Sequence, residues 1–511
     1  MSAENAILEA LRAHSAASPH SVALIGDDET IDYATLAQRV DVLAAWLSQH
    51  GVSHAGLWGD NGIAWIIADL AAWRAGVTVV PLPAFFSRTQ LRHVLDSTAL
   101  RHVLVCGDVP GVARHLDSHA SPIAGIRLDL IEQSNQSAAI PVDTCKITYT
   151  SGTTGNPKGV CITTPMLEAV TRALVTRIHA APGMTAALRC HFSLLPLSTL
   201  LENVAGVYVP LLLGKQIVVR AGAAIGLLGS SQLDVPRLLQ SLHAAQPDSL
   251  ILLPQILRAL VMAAEQGMAP PASLRFVAVG GAATPAAVLL RAQALGIPVF
   301  EGYGLSECAS VVALNAPSSQ RVGSVGRVLD HVRVRIDDGA IVVAGNVFPG
   351  YLGQHAAERG VWLDTGDLGH IDDDGFLYVT GRRKNVLISS YGRNISPEWV
   401  ETELSQCPSI AQVMVIGDAL PCCSAIVVPA TGVAIDVVAR EIATVNNTLP
   451  DYARIGHLIV ADSAFTTANH ALTDNGRLRR DVIAQRHAVQ IAALNPLNAP
   501  DHATGRIHDL L

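Results

Sequence analysis

The chain has 511 residues, half of them hydrophobic and 15% charged, and a formal net charge of −8. That length is too great for one simple core and implies two or more domains, with apolar content ample for burying them. The negative balance argues against a nucleic-acid surface, and eight cysteines scattered without a Cys-x-x-Cys pair indicate neither a zinc site nor a disulfide framework. The opening Met1-Ser-Ala-Glu-Asn is polar and acidic with no signal-peptide pattern, and no apolar run approaches a membrane span. A soluble, cytoplasmic protein is expected.

Residues 1–140 alternate extended and helical patterns. Tyr33 to Leu47 sets Leu36, Val40, Leu43 and Leu47 at helical spacing, Val77-Thr-Val-Val-Pro-Leu82 reads as a buried strand, and Leu91 to Leu95 begins another helix. Such alternation predicts a layered α/β domain. At Ile147 a β-branched run (Ile147, Thr148, Thr150) leaves a strand. It then breaks into a loop holding Ser151, Thr153, Thr154, Gly152, Gly155 and Lys158. Glycines admit an anion close to the backbone, hydroxyls and free N–H groups donate to phosphate oxygens, and the lysine adds charge. This is not the common P-loop: Pro157 stands where that pattern has glycine, and Gly159 follows the lysine.

Further on, Leu194-Leu-Pro-Leu-Ser-Thr-Leu-Leu-Glu-Asn203 leads into an apolar helix and the strand Gln216-Ile-Val-Val. Leu250-Ile-Leu-Leu, Phe276-Val-Ala-Val and Pro298-Val-Phe are strand-like and end in small or polar residues, where a parallel sheet places its ligand crevice. Val332-Arg-Val-Arg-Ile, the turn Asp337-Asp-Gly and Ala340-Ile-Val-Val-Ala predict a β-hairpin. A helix over Pro397 to Leu404 and strands at Gln412 to Ile416 and Ala425 to Val428 predict a small α+β domain. The Ala/Asn/Pro-rich stretch after residue 490 predicts a loosely held tail.

Tyr149-Thr-Ser-Gly-Thr-Thr-Gly-Asn-Pro-Lys-Gly159 resembles the phosphate loop of the adenylate-forming superfamily, which holds acyl-CoA synthetases, peptide-synthetase adenylation domains and luciferases. Such enzymes activate a carboxylate with ATP as an acyl-adenylate, release pyrophosphate, and in most cases pass the acyl group to a thiol. The likeness runs from about residue 20 to 485, with Asn61 to Pro83 as scaffold, and is nearest in look to fatty acyl-CoA synthetases and acyl-AMP ligases. It implies that Thr150, Ser151, Gly152, Thr153, Thr154 and Gly155 hold ATP with Lys158. Val279-Gly-Gly-Ala-Ala-Thr284 places Gly281 and Ala282 against the adenine and the acyl pocket. Glu301-Gly-Tyr-Gly-Leu-Ser-Glu307 is similar to the Tyr-Gly-x-Thr/Ser-Glu signature. On that resemblance Gly302, Tyr303 and Gly304 lie by the adenine, Ser306 contacts the α-phosphate and Glu307 holds magnesium.

Trp362-Leu-Asp-Thr-Gly-Asp-Leu-Gly369 and Gly375-Phe-Leu-Tyr-Val-Thr-Gly-Arg382 extend the likeness. They make Asp367 the acceptor from both ribose hydroxyls and let Arg382 reach ribose or phosphate. Ser389-Ser-Tyr-Gly-Arg-Asn-Ile-Ser-Pro-Glu-Trp-Val-Glu401 matches the loop that enters the site for thioester formation, with Gly392 passing the pantetheine. The Leu-Pro-Leu segment opens a helix beside the acyl pocket, with Thr199 where many members have His or an aromatic residue. Glu202 resembles an acidic position of fatty acyl-CoA synthetases; a helix-surface carboxylate or an internal salt bridge explains it equally well.

Two positions depart from the pattern. The hinge run, usually Gly-Arg-x-Lys-Asp, is Gly381-Arg-Arg-Lys-Asn385, making Asn385 the pivot. The C-terminal Thr-x-x-Gly-Lys motif is Thr473-Asp-Asn-Gly-Arg477, so an arginine stands where a lysine bridges carboxylate and α-phosphate. Lysine occurs only at 146, 158, 215 and 384, and arginine keeps the charge the transition state needs. Its planar fork is nevertheless not a point charge.

The expectation is an α/β protein. Its large layered N-terminal domain (1–384) has mixed sheets and a small β-barrel-like part, followed by a small mobile α+β domain (385–495) and a tail (496–511). ATP, Mg2+ and the phosphopantetheine thiol of coenzyme A or an acyl carrier protein are implied. Gly280, Gly281 and Gly302, with Leu200, Leu201 and Val204 and no charge, favour an open apolar channel for a medium- or long-chain fatty acid. An aryl acid is the nearest competitor. A nucleotide- and acyl-binding homologue impaired at Arg477 is the alternative of another class. Arg477, Arg479 and Arg480 suit an acidic carrier protein or a solvated helix face.

Overall fold

The computed structural model describes residues 5–113, 115–132, 139–150, 157–228, 232–354, 362–388, 394–418, 420, 422–473, 476–494 and 507–509. The chain forms two compact units. The first comprises Met1–Ala282, Arg291–Val334 and Val343–Leu363; the second comprises Ala283–Leu290, Arg335–Val342 and Asp364–Leu511.

Two mixed sheets build the first unit. In the nine-stranded one, edge to edge, lie Arg327–Val328, Ser310–Leu314, Val299–Leu305, Phe276–Val279, Ser249–Leu252, Cys190–Ser193, Gln216–Val219, Val22–Ile25 and Thr30–Asp32. From Val299–Leu305 through Val22–Ile25 every neighbouring pair is parallel. The seven-stranded sheet runs His115–Ala120, Ile126–Ile131, His102–Cys106, His54–Gly59, Thr78–Leu82, Thr144–Thr150 and Lys158–Thr163. Parallel strands buried on both faces read as continuous apolar runs, which is why Val77 to Leu82 was legible.

The helix Ile63–Arg74 is apolar on every side, and Ile63 and every residue from Trp65 to Trp73 are buried. A helix without a polar face belongs inside a core. Its single carboxylate, Asp69, is 1% exposed and must be paired there. Lys146 Nζ donates to Asp69 Oδ1 at 2.8 Å, to Tyr208 Oη at 2.8 Å, and also to Asn203 Oδ1. Asn203 and Tyr208 close the network on Asp69 Oδ2 at 3.0 and 2.6 Å. The helix Tyr33–Gln49 is amphipathic instead, capped by Asp32, whose carboxylate accepts from the Thr35 N–H at 2.8 Å.

In the second unit the strands Leu363–Ile371 and Leu377–Arg382 pair antiparallel, with Asp367 opposite Arg382. Their four-stranded sheet also includes the strands Val332–Asp337 and Ala340–Gly345. The C-terminal portion has a second four-stranded sheet: Ile410–Ile416, Cys423–Pro429, Ile455–Val460 and Ile507–Asp509. Alternation divides its side chains. Val413, Val415 and Val427 pack with Val400, Leu404, Val438 and Ile442 of the helices Pro397–Leu404 and Ile435–Asn446. Met414, Ile426 and Ile459 pack with Phe465, Ile483 and Leu494.

The layered α/β and smaller α+β architecture is as expected, but the end of the chain is not simply a loose tail. Ala488–Ala493 is helical, and Ile507–Asp509 adds an antiparallel strand beside Ile455–Val460, pairing Ile459 with Ile507. Among the described residues no helix is long and apolar enough to cross a membrane.

Candidate functional site

Parallel strands of the nine-stranded sheet deliver the nucleotide-type motifs to one edge. Val279 and Glu301 are register partners, so Gly280–Ala282 leaves the end of its strand beside Gly302–Leu305, which continues the neighbouring strand and pairs with Ser310–Leu314. Gly281 has φ +85° and suits a glycine for that reason. A Cβ on Gly280 would lie 3.1 Å from the Gly302 carbonyl oxygen, and one on Gly302 would lie 3.0 Å from Leu314 Cδ1. These glycines therefore answer a close backbone approach. Their small size is not evidence of an open acyl channel.

Gly304 has no room for a Cβ against the Ser310 carbonyl. Ser306–Cys308 then forms a 3-10 turn, and Ala309 and Ser310 follow at φ +59° and +113°. Non-glycine residues with such angles are strained, and strain of this kind collects at working sites. Ser306, Glu307 and Tyr303 are half-buried.

Lys158 opens the strand Lys158–Thr163, pairs across the hairpin with Thr150, and is exposed. Gly159 fits because a Cβ would sit 3.0 to 3.2 Å from Ile147, Tyr149 and Leu352. The segment 348–352 crosses this strand. Leu352 N donates to Gly159 O at 2.8 Å, Val160 bridges Tyr351, and Phe348 N donates to Glu307 O at 2.7 Å. Tyr351 is thereby set between two expected site residues. Its hydroxyl donates to Glu307 Oε1 at 2.8 Å, and Lys158 Nζ lies 5.2 Å from its ring centroid. Burial, with the Glu307 charge, raises the phenol's pKa and keeps it a donor. Sequence reasoning passed over Tyr351; the available signal was the turn pair Pro349-Gly350 before an aromatic residue.

Glu307 fits magnesium. A carboxylate has about four acceptor positions, so one hydroxyl leaves capacity for a cation. Mg2+ on a nucleotide takes one or two carboxylates plus phosphates. Among the described residues no group of three or more His, Cys, Asp or Glu side chains forms a ready-made cage.

In the second unit Arg382 Nε pairs with Asp367 Oδ1 at 2.6 Å, and Asp367 is only 3% exposed. Asn385 ends the 3-10 turn Arg383–Asn385. Arg477 is exposed on a tight turn in which Thr473 N donates to Arg477 O at 2.7 Å and Arg477 N to Thr473 Oγ1 at 3.0 Å. Burial, then the charges of Arg382 and Arg477, lower the pKa of Lys384. Arg480 is committed internally, to Glu401 and to Val415 O at 3.1 Å, and so does not contribute to a solvated basic face. Ser151, Gly152, Thr153, Thr154, Gly155 and Gly392 lie outside the described residues.

Glu202 is fully buried. It accepts from Ser193 Oγ at 2.9 Å and Leu195 N at 3.2 Å, and sits 3.1 Å from His191 Nε2. The internal pairing is thus the one realised. It begins a π-helical stretch, Glu202–Tyr208, a form frequent at functional sites. Asn61 holds the adjoining turn by donating to Leu195 O at 2.9 Å and accepting from Leu197 N at 2.8 Å.

Comparison with known proteins gives the family and the fold. The model of the family described as AMP-binding enzyme matches residues 11–352, and that of the AMP-binding enzyme C-terminal domain matches residues 384–495. The chain is similar to the long-chain-fatty-acid–CoA ligase FadD15 of Mycobacterium bovis, 28% identical over 441 residues, covering 71% of this chain and 70% of that protein. It is similar to a feruloyl-CoA synthase of Amycolatopsis sp, 30% identical over 466 residues, covering 82% and 88%. Among solved structures, o-succinylbenzoate CoA synthetase (MenE) of Bacillus subtilis with its acyl-adenylate intermediate aligns at TM-score 0.74 and 24% identity, covering 92% and 97%. The same synthetase in complex with ATP and magnesium ion aligns at TM-score 0.72 and 24% identity, covering 93% and 98%.

Proposed function

Because this chain belongs to the AMP-binding enzyme family, and is an AMP-forming acid–thiol ligase, we propose that it joins an apolar monocarboxylic acid to coenzyme A through an acyl-adenylate. A carboxylate oxygen attacks the α-phosphorus, a new P–O bond forms, and the bond to pyrophosphate breaks. The thiolate then attacks the acyl carbonyl, and the carbonyl carbon exchanges its bond to AMP oxygen for one to sulfur.

The observation that carries this reading is the chain Lys158, Tyr351, Glu307: a cation and a carboxylate held by one aromatic residue. Lys158 acts with the loop 151–155 on the ATP phosphates. Glu307 would hold magnesium, which neutralises phosphate charge, and Tyr351 orients that carboxylate. Ser306 donates to the α-phosphate and Tyr303 offers the adenine a flat face. Asp367, paired with Arg382, accepts from the ribose hydroxyls. Arg477 supplies the charge at the α-phosphate that a lysine gives elsewhere, and Asn385 is the hinge on which the small domain, 385–495, turns between half-reactions.

A medium- or long-chain fatty acid is the first substrate class, supported by the likeness to a fatty-acid ligase. An aryl acid is the second, supported by the feruloyl-CoA synthase and by the packing role of Gly280 and Gly302, which removes one argument for a long channel. Pyrophosphate release from ATP and Mg2+ across fatty, aryl and amino acids, followed by thioester formation with coenzyme A or a carrier protein, tests the proposal. Turnover on one carboxylate class supports it. ATP binding with no pyrophosphate from any acid replaces it with a nucleotide- and acyl-binding role.

A further inference from the structure

The side chain of Asn385 gives Nδ2–H to Glu398 Oε1 at 2.5 Å. Glu398 stands in the first turn of the helix Pro397–Leu404, and its other oxygen accepts from Ser396 Oγ at 3.2 Å. Arg480 Nη2 lies 3.9 Å from the same Oε1 that Asn385 reaches. Arg480 is anchored in turn by Glu401 and the Val415 carbonyl. Glycine at 381 makes the approach possible, since a Cβ there would collide with Ser396 Oγ and come 3.3 Å from Glu398 Oε2. One carboxylate therefore touches the expected hinge residue, the strand that delivers Arg382, and the arginine three residues beyond Arg477.

The turn carrying Arg477 is closed by Thr473 N to Arg477 O at 2.7 Å and by the bridge between Leu472 and Leu478, and Arg479 N donates to Ala471 O at 2.9 Å. Arg480 follows this turn directly, so a hold on Arg480 bears on the segment that carries Arg477. We propose that Glu398 is a positioning residue for acyl-adenylation, fixing Asn385 and Arg480 in one arrangement so that Arg477 is presented to the α-phosphate. This rests on the ligase reading above. It also accounts for asparagine at the hinge. An aspartate at 385 would set a second carboxylate against Glu398 Oε1, where the amide N–H instead gives a charge-assisted bond.

The pair can be tested by reversing its polarity. Asn385→Asp alone brings two carboxylates together. Asn385→Asp with Glu398→Gln restores a bond in which the new amide at 398 donates to the new carboxylate. Both variants and wild type are assayed in two half-reactions: pyrophosphate release with ATP, Mg2+ and the accepted acid, and thioester formation from supplied acyl-adenylate and thiol. Asn385→Asp should lower the ratio of adenylation to thioester formation about tenfold, and the double variant should return it to within about threefold of wild type. Thermal denaturation of each variant separates misfolding from mispositioning. A ratio unchanged in Asn385→Asp, or a double variant worse than the single one, overturns the assignment while leaving the ligase reading intact. Wild type silent in pyrophosphate release with every acid overturns the ligase reading and this assignment together.

Discussion

Tyr351 donates its hydroxyl to Glu307 Oε1 at 2.8 Å across 44 residues of sequence, and the same ring lies under the Lys158 ammonium. Under the proposed mechanism Glu307 holds a divalent cation, and such a carboxylate gains from a neutral donor that fixes its rotamer without competing for its charge. Tyr351→Phe keeps the ring and removes the donor. Pyrophosphate release should fall about tenfold, with a higher Mg2+ concentration needed for half-maximal rate. Tyr351→Leu, which also removes the ring from Lys158, should cost about threefold more. A magnesium titration of the three proteins checks both steps, and an unchanged magnesium requirement in Tyr351→Phe would remove Tyr351 from the site.

Lys146 was noticed in the sequence only as one of four lysines; in the structure it is 3% exposed and holds Asp69, Asn203 and Tyr208 together. Removing one member of a buried ion pair leaves the other charged and dry. Lys146→Met should therefore cost about 3–5 kcal/mol in denaturant unfolding of the first unit, and Lys146→Met with Asp69→Leu should recover a large part of it. Equal losses in the single and double variants would mean that packing, not charge, sets the cost.

What could be read from the chain was whatever depends on near neighbours. Tyr33–Gln49 declares itself through helical spacing, and the strands before Gly280 and Gly302 through apolar runs. Long-range pairing was not readable. Glu202 looks like any helix carboxylate until the strand bearing His191 and Ser193 lies beside it. Gly280 and Gly302 suggest empty space in the sequence, but the cause is a neighbouring strand that only the folded sheet supplies. Glu398 could not be singled out, because its partners Asn385 and Arg480 lie 13 and 82 positions away and meet it only in the folded unit.

Arg477 sits on a turn held by backbone and by Thr473, so changing its side chain should leave the fold intact. Under the proposed mechanism, Arg477→Ala removes a charge aimed at the transition state. Pyrophosphate release should drop about a hundredfold, while thioester formation from supplied acyl-adenylate changes less than about threefold. Arg477→Lys restores charge without the fork and should fall between wild type and Arg477→Ala. If Arg477→Lys exceeds wild type by tenfold or more, the arginine marks a loss of adenylation.

His331 in the first unit is largely buried, and burial lowers its pKa to about 4, with Asp330 offsetting only part of the effect. The unfolded chain, with an ordinary imidazole near 6.5, takes up a proton at a pH where the folded protein does not. Stability from this group is thus fully present above about pH 6.5 and is lost as pH falls towards 4. Between pH 7.5 and 5 the loss should reach about 2 kcal/mol. His331→Gln cannot titrate and should flatten the profile by that amount, whatever it does to absolute stability at pH 7.5. Denaturant unfolding of both proteins at the two pH values measures the difference, and parallel profiles would show that His331 is protonated to the same extent folded and unfolded.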